Sequence, residues 1–583
     1  RYEVLPYLFS LGFIMLGALW LATLLAATLD LVFENLDIGF LFFGVLYFLG
    51  LTAPNYLLRW VATSASVYSD FGGIEPVGRL VVCNRLFWLF LAAAVVLVGF
   101  WWRRLPGFPR RVALVRNAAR GLVPLGALAA MALATWLYTS EPYLFPADSV
   151  FQRDLPRSAQ AWLTAVTCDV RLRPRAKTLA ADVCYEFGKE PAQTRIELVT
   201  NKGLRIDSLK VNGTDAAWHY LPRTDRIQLD LPAGPSARVE LRYHGRIRYP
   251  VPGGFPGYIS TRSIYLLENS HWLFEPRTEA RGPIGVSGAV TAPAHLTVVT
   301  PGKLESITRE GESLTWRFKA VCPELALGLF AAEYEQETLA VGSTTVEFYF
   351  SPRHADYIRA AGVTDHIRDI LAFCGTFTGT GPWENMPLKI VETSVYKPGG
   401  HASLNVVTMA EYLLNRIKAP DPSTMPRFIL RDLKILAHEL AHQWWGGGVA
   451  IAESGAWSSE GLAEYMAYKY LAAQYPAAIT DSIARGWRGS AAQGKHAYWR
   501  KDPRALERMR PALREKLLTG QARGRAYSVL PLRLLAAEER LGAGPLQARL
   551  AEVFRRHRGT TLPWESFVAI LGPGTIDLCE EQP

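Results

Sequence analysis

Residues 436–465, LAHELAHQWWGGGVAIAESGAWSSEGLAEY, place His438, Glu439 and His442 in an H-E-x-x-H pattern within a stretch of helical periodicity. Four residues apart on a helix, the two histidines lie one turn apart on a single face, so both imidazoles can reach one ion. Glu439 lies beside that face, where it can hold a water rather than bind the ion itself. Zinc brings the pKa of a water toward neutrality and polarises a carbonyl, so the pattern points to metal-assisted hydrolysis. The competing reading is a helix carrying two core histidines.

A catalytic zinc has three protein ligands and an open position. The carboxylates that could complete the set are Glu453, Glu460 and Glu464. Glu453 lies in a Gly/Ala/Ser-rich stretch that reads as a loop. Glu460 follows Ser458 and Ser459, which can cap a new helix, and a ligand at a helix start is well placed to reach back to a neighbouring helix. Glu464 is one turn later on the same face, able to orient an imidazole from behind or simply to face solvent.

The elements that must position these groups follow from periodicity. Lys434 to Trp445 contains no helix breaker, and Gly446, Gly447 and Gly448 then act as a stop. From about residue 345 the pattern is helical, with LKIVET and LNVVTM as strand-like runs, which predicts an α+β section over 341–575. From 161 to 340 short alternating runs recur between Gly-, Pro- and Asn-rich turns, from TAVTCDVRL and LAADVCYEF to ARVELRYHG and SLTWRFKA, which predicts an all-β section. Residues 141–160, with Pro142, Pro146 and Pro156, read as a linker. Cys168 and Cys184 flank the turn RPRAKT and could face each other across a hairpin or be two separate buried thiols.

Residues 1–140 are far more apolar than the rest. Runs 7–29, 38–58, about 83–102 and 121–139 have the length and composition of membrane spans, and four in succession argue against a buried helical core. Arg85 lies near one end of the third run, where its head could snorkel. The loop 103–120 carries Arg103, Arg104, Arg110, Arg111, Arg116 and Arg120 without an acid, which places it in the cytoplasm and everything after Thr139 outside. The acidic loop around Asp30, Glu34 and Asp37 pulls the other way, but acids weigh little in that rule. The sequence begins at Arg1 and is apolar by Leu5, which reads as a piece with further spans upstream. The formal charge of +10 does not indicate nucleic-acid binding, because there is no basic–aromatic tract and no CxxC pair.

HELAHQWWG followed by WSSEGLAEY resembles the gluzincin metallo-aminopeptidases of the aminopeptidase N and leukotriene hydrolase type. In that family Gln-Trp-x-Gly follows the second histidine, and the third ligand opens a motif that Glu460, Gly461, Leu462 and Ala463 match. Residues 443–459 separate His442 from Glu460, one residue fewer than is usual there, with the shortening in the glycine-rich loop. The resemblance implies one Zn2+ held by His438, His442 and Glu460, Glu439 as general base, and Tyr527 of GRAYSVLPLRLL as the oxyanion-stabilising tyrosine. Val529 and Leu530 stand where the family has Lys-Gly after that tyrosine. IDSLKVNG and LTVVTPGKLES are similar to the family's N-terminal β-domain, so the resemblance covers about residues 160–572 and lacks the family's late helical domain.

One departure bears on substrate. The family's Gly-x-Met-Glu-Asn strand, whose glutamate holds the substrate's free amino group, corresponds to PGGHASLN, which puts Gly400, His401 and Ala402 in the substrate-binding strand with Ala402 in place of the glutamate. A membrane segment joined to such a domain also resembles bacterial proteins that fuse an ABC-type permease to this peptidase.

The expected architecture is therefore multi-domain: transmembrane helices, an all-β saddle-like domain, then an α+β thermolysin-like zinc peptidase domain. The expected function is membrane-anchored hydrolysis of peptides on the extracytoplasmic side of a bacterial inner membrane, with the lipid bilayer and transporter subunits as partners. The alternative is a transporter-associated scaffold whose peptidase-like domain binds peptides with little turnover.

Overall fold

The structure is a computed structural model and describes residues 4–33, 35–52, 59–61, 68–102, 109–140, 158–221, 225–248, 257–278, 281–394, 399–414, 417, 427–452, 457–495, 502, 504–509 and 511–572. Most of the expected linker, together with Glu34, Glu453 and Cys579, lies outside these residues.

The N-terminal part is helical. One run, Val4–Leu29, is long and apolar enough to cross a membrane, and Leu36–Leu51, Val81–Ala94 and Gly121–Trp136 are shorter apolar helices. Arg85 does not snorkel: its side chain is 1% exposed. The first helix widens into a π-helical stretch over Ser10–Leu16. Arg85 donates there to the carbonyls of Phe13 at 2.7 Å and Ile14 at 3.5 Å, and to that of Trp60. A π-helical stretch displaces carbonyls from the regular ladder, and a guanidinium has enough donors to collect several at once.

The β-rich section is built on an eight-stranded sheet in the order Lys303–Glu310, Ser313–Cys322, Ile284–Pro293, Ala161–Arg173, Thr178–Lys189, Ser236–Gly245, Leu204–Val211, Thr214–Asp215. All neighbours are antiparallel except Ala161–Arg173 and Ile284–Pro293, which run parallel. Two four-stranded sheets complete the section. Side chains alternate about each strand, so Val166, Cys168 and Val170 enter the core while Thr167 faces out. This alternation separates Cys168 from Cys184. The expected hairpin forms, but Cys184 pairs in register with outward-facing Thr167, and Cys168 pairs with buried Val183. The two thiols thus occupy opposite faces, and both are free.

The helical section follows, around a five-stranded mixed sheet in the order Glu335–Val341, Thr344–Phe350, Leu388–Thr393, Val406–Ala410, Gly400–Ser403. Gly400–Ser403 is its edge strand, antiparallel to Val406–Ala410. Buried polar groups join the two sections. Lys389 donates to Thr300 O at 2.7 Å, and Asn405 bonds both Gly302 N, at 2.6 Å, and Gly302 O, at 3.0 Å. Burial lowers the Lys389 pKa to about 8.

Residues 68–75, between the second and third apolar helices, pack on both sections. Glu75 accepts from Thr261 N–H at 3.0 Å and Thr261 O–H at 2.7 Å, and pairs with Lys177 at 2.9 Å. Asp70 lies 2.9 Å from His354 Nε2, whose Nδ1 is 2.7 Å from fully buried Glu392. Asp70 N–H donates to buried Glu411 at 3.1 Å, and Phe71 packs on Tyr334 and His354. Burial alone would lower the His354 pKa, but the hydrogen bonds of Asp70 and Glu392 outweigh it and raise it to about 9. Burial raises Glu411 to about 7 against the opposing pull of Ser69 and His354.

These directions fix the sign of a pH effect. The His354 contribution is fully present below the ordinary histidine range and is lost as pH rises through about 9, and ionisation of Glu411 through about pH 7 works the same way. The Asp70 pKa is lowered, chiefly by its bond to His354, so its contribution fails only in strong acid. Hydrogen-exchange protection of 68–74, corrected for intrinsic rates, should therefore be greatest at mildly acidic pH and fall between pH 7 and 9. Protection that rises over that interval would contradict the assignment.

Candidate metal centre

The helix Arg427–Ala441 carries His438, and His442 N–H donates to His438 O at 3.1 Å. The chain then tightens: Gln443 N–H donates to Leu440 O at 3.0 Å and Trp444 N–H to Ala441 O at 3.0 Å. The helix thus ends at the second histidine, ahead of the three glycines. Gly446 adopts φ +119°, and a Cβ on Gly448 would lie 2.7 Å from Gln443 O, so this turn needs glycine for conformation and for close approach.

The opposing helix is Trp457–Gln474. Ser458 and Ser459 fall within its first turn instead of capping it, which leaves Glu460 in that turn. Three features hold this helix in place. A Cβ on Gly461 would lie 2.5 Å from Leu530 Cδ2, so Gly461 admits the helix Leu530–Leu541 at close range. Trp445 Nε1 reaches Met466 Sδ at 3.2 Å, and Glu538 accepts from Tyr465 at 2.7 Å and Lys469 at 2.6 Å. Leu462 and Ala463 are buried in the same core.

These elements bring His438 Nε2, His442 Nε2 and Glu460 Oε2 to 3.1–3.2 Å from one another. Tetrahedral ligands about 2.1 Å from a central ion sit about 3.4 Å apart, so the three donors need only separate by a few tenths of an ångström to fit zinc. The donor set, two imidazoles and a carboxylate, suits zinc among common ions. Glu464 does not face solvent. Its Oε2 is 3.1 Å from His438 Nδ1, close enough to pair although off the axis of a good hydrogen bond. Its Oε1 accepts from Trp487 Nε1 at 3.0 Å and from Lys434 Nζ. His442 Nδ1 is 2.9 Å from Trp445 O. Each imidazole is thereby held through its far nitrogen with Nε2 directed at the common point.

Electrostatics follow from burial and pairing. Burial opposes ionisation of Glu460, but its hydrogen bonds to His438 and His442 hold its pKa well below the carboxylate range. Burial likewise opposes ionisation of Glu464, and His438 and Lys434 reverse it, leaving the pKa at about 2. Both are carboxylates at any physiological pH.

Glu439, beside the histidines, packs against the edge strand. A Cβ on Gly400 would lie 2.4 Å from Glu439 Cγ, so the strand approaches this carboxylate more closely than any residue but glycine allows. Gln443 fixes the same strand from the helix side: its Nε2 donates to Ser403 O at 3.3 Å, while its Oε1 accepts from Trp383 at 2.9 Å. Tyr527 sits in a π-helical stretch, Arg525–Val529, and its ring stacks on His438 at 5.6 Å. Burial, then the Glu460 charge, raises the Tyr527 pKa far above its ordinary value, so the phenol stays protonated and can donate.

The remaining expected residues behave differently. Ala402 is half-buried against the core of the helical section. His401 Nε2 is bound by Glu268, at 2.8 and 3.1 Å, from the β-rich section. Glu268, Gln443, Lys434 and Trp487 were not singled out from the sequence; only the Gln after the second histidine carried a signal, as part of the motif.

No protein-family model matches the sequence. The structure is similar to the crystal structure of an M1 zinc metallopeptidase from Deinococcus radiodurans, with TM-score 0.51 and 18% identity over 71% of this chain and 91% of that one. It is also similar to a two-domain M1 zinc metallopeptidase mutant bound to L-arginine, with TM-score 0.52, 18% identity and coverage of 71% and 91%. A mutant of the Deinococcus radiodurans enzyme bound to a Tyr-Ser-Ala substrate matches with TM-score 0.50, 19% identity and coverage of 71% and 90%. The fold after the N-terminal helices is thus that of M1 zinc metallopeptidases, a β-rich section followed by a helical one.

Two variants probe this geometry. Glu464→Gln should weaken zinc binding by about 10- to 100-fold, measured by chelator competition, with the circular dichroism spectrum unchanged. Gly400→Ala should retain zinc, since the clash falls on Glu439 and not on a ligand, yet lower any peptide turnover; loss of zinc from that variant would show that the strand supports the ligands instead.

Proposed function

We propose that the chain is a membrane-anchored zinc metallopeptidase that hydrolyses peptide bonds. The observation that carries this reading is the convergence of His438, His442 and Glu460 on one point, with Glu439 and Tyr527 flanking it. A zinc ion held by these three residues supplies Lewis-acid polarisation of the scissile carbonyl and acidification of water. Glu439 accepts the proton of the attacking water and delivers it to the leaving amine. Tyr527 O–H donates to the carbonyl oxygen as it gains negative charge. The edge strand Gly400–Ser403, bonded to one neighbour among the described residues, offers backbone groups on which an extended peptide can lie. A bound peptide in the structurally similar enzyme from Deinococcus radiodurans supports peptides as the substrate class.

In this reading residues 1–140 form the membrane part, 141–160 a linker, 161–340 a saddle-like β domain and 341–575 a thermolysin-like catalytic domain. Support for the membrane part comes from the apolar helices and from their outward-facing side chains, Leu19, Trp20, Phe40, Leu41, Leu125 and Leu128 among them. Four spans with the arginine loop inside put loop 59–82 on the same side as the peptidase, which agrees with the packing of residues 68–75 on both sections. That side is extracytoplasmic. A second reading, a transporter-associated domain that binds peptides with little turnover, draws on Ala402, which leaves a substrate amine without its usual partner in the strand.

Hydrolysis of a mixed peptide library with and without chelator separates the two readings, and free against acetylated N-termini separates exo- from endopeptidase action. Glu439→Gln should keep zinc and lose turnover, Tyr527→Phe should lower kcat about 10²- to 10³-fold, and Glu460→Gln should release zinc. Unchanged turnover in Glu439→Gln would sink the assignment of the base.

A further inference from the structure

Three of the carboxylates around the centre are already engaged. Glu460 lies against both imidazoles, Glu464 against His438, Lys434 and Trp487, and Glu268 against His401. The opposite holds for two cations beside them. Arg523 places its guanidinium 5.5 Å from the centroid of Tyr527, on the ring that itself stacks on His438 at 5.6 Å. Arg523 is exposed, and neither it nor Arg525, two residues on and half-buried, has a carboxylate partner among the described residues. Both arginines lie in a strongly basic stretch. Residues 482–526 hold twelve Lys and Arg against three Asp and Glu, most of the formal +10 of the chain. The helices Ala477–Lys495 and Pro511–Gly524 of that stretch pack against the segment carrying Tyr527.

The electrostatic balance at this site is thus reversed from one built for a free amine: the strand position Ala402 offers no negative charge, and the tyrosine side offers unbalanced positive charge. We propose that Arg523, with Arg525 adding to its field, makes the site select peptides bearing a carboxylate near the scissile bond. The stack of guanidinium, phenol and imidazole puts the cation at most about 11 Å from the His438 ring, and an extended peptide advances about 3.5 Å per residue. The carboxylate it recognises therefore belongs to one of the two or three residues nearest the bond, either as an Asp or Glu side chain or as the peptide's own C-terminus. A planar guanidinium accepts a carboxylate in a bidentate pair, and its hold on the face of Tyr527 limits the rotamers it must give up on binding.

This selectivity rests on the hydrolytic reading, and the test keeps the two apart. Peptides matched in pairs, Glu against Gln and Asp against Asn at each position flanking the cleaved bond, and free C-terminus against C-terminal amide, are compared on the zinc-loaded full chain. The acid member of the pair at the recognised position is expected to be cleaved about tenfold better, chiefly through KM. The side-chain pairs and the C-terminal pair distinguish the two sources of the carboxylate. Arg523→Glu should abolish or invert the ratio, and Arg523→Lys should keep part of it. Binding of the same pairs to the Glu439→Gln full chain, followed by fluorescence anisotropy, reads the preference without turnover. Acid-selective binding without cleavage by the wild type would leave the selectivity standing and overturn the hydrolase reading. Equal ratios for acid and amide in both assays, or a ratio that Arg523→Glu does not move, would overturn the proposal.

Discussion

His438 is held between two carboxylates, Glu460 at Nε2 and Glu464 at Nδ1, and the rest of the site depends on that clamp. With a carboxylate on either side, its Nε2 is directed at the point where His442 and Glu460 also converge. The cost is that two negative charges, Glu464 buried and Glu460 half-buried, lie in one helix, one turn apart, where they would repel. Cations and donors aimed at them meet that cost: the two imidazoles at Glu460, and Lys434 with Trp487 at Glu464. Removing a donor would leave a buried charge without its compensation, which is worth several kcal/mol in such settings.

The clamp works only if two helices meet at a fixed distance, and small residues set that distance. Gly461 admits Leu530 against the helix bearing the glutamates, and Gly448 admits Phe554 and the carbonyl of Gln443 behind the turn. On the other side Gly400 admits Glu439 against the edge strand. Side-chain ties, Gln443 to Ser403 and Trp445 to Met466, then connect the histidine helix to the edge strand and to the glutamate helix. Gln443 and Trp445 of the HELAHQWWG motif are thereby accounted for by what they position.

A second polar cluster, His354 with Asp70, Glu392 and Glu411, joins the loop between apolar helices to the helical section. It resembles the candidate metal centre in composition, and His354, like His438, lies between two carboxylates. Here the arrangement ties the loop to the helical section as an ionic latch.

What the sequence by itself determined were the features that repeat locally. Alternation about each strand, helical spacing of His438 and His442, and the apolar composition of the N-terminal runs each depend on a few neighbouring residues, and all could be read directly. The nearness of Glu460 to the two histidines was reachable because its motif is also short. Tertiary structure alone decided the rest. The opposite facing of Cys168 and Cys184 is a matter of register, in which one residue of offset changes the face. The burial of Arg85 depends on carbonyls more than seventy positions away. The pairing of His401 with Glu268, the latch around His354, and the seating of Arg523 on Tyr527 each join segments or orientations that no local pattern encodes. Such contacts are chosen by how packed elements approach one another, and a polar side chain finds its partner only after that packing has removed its access to water.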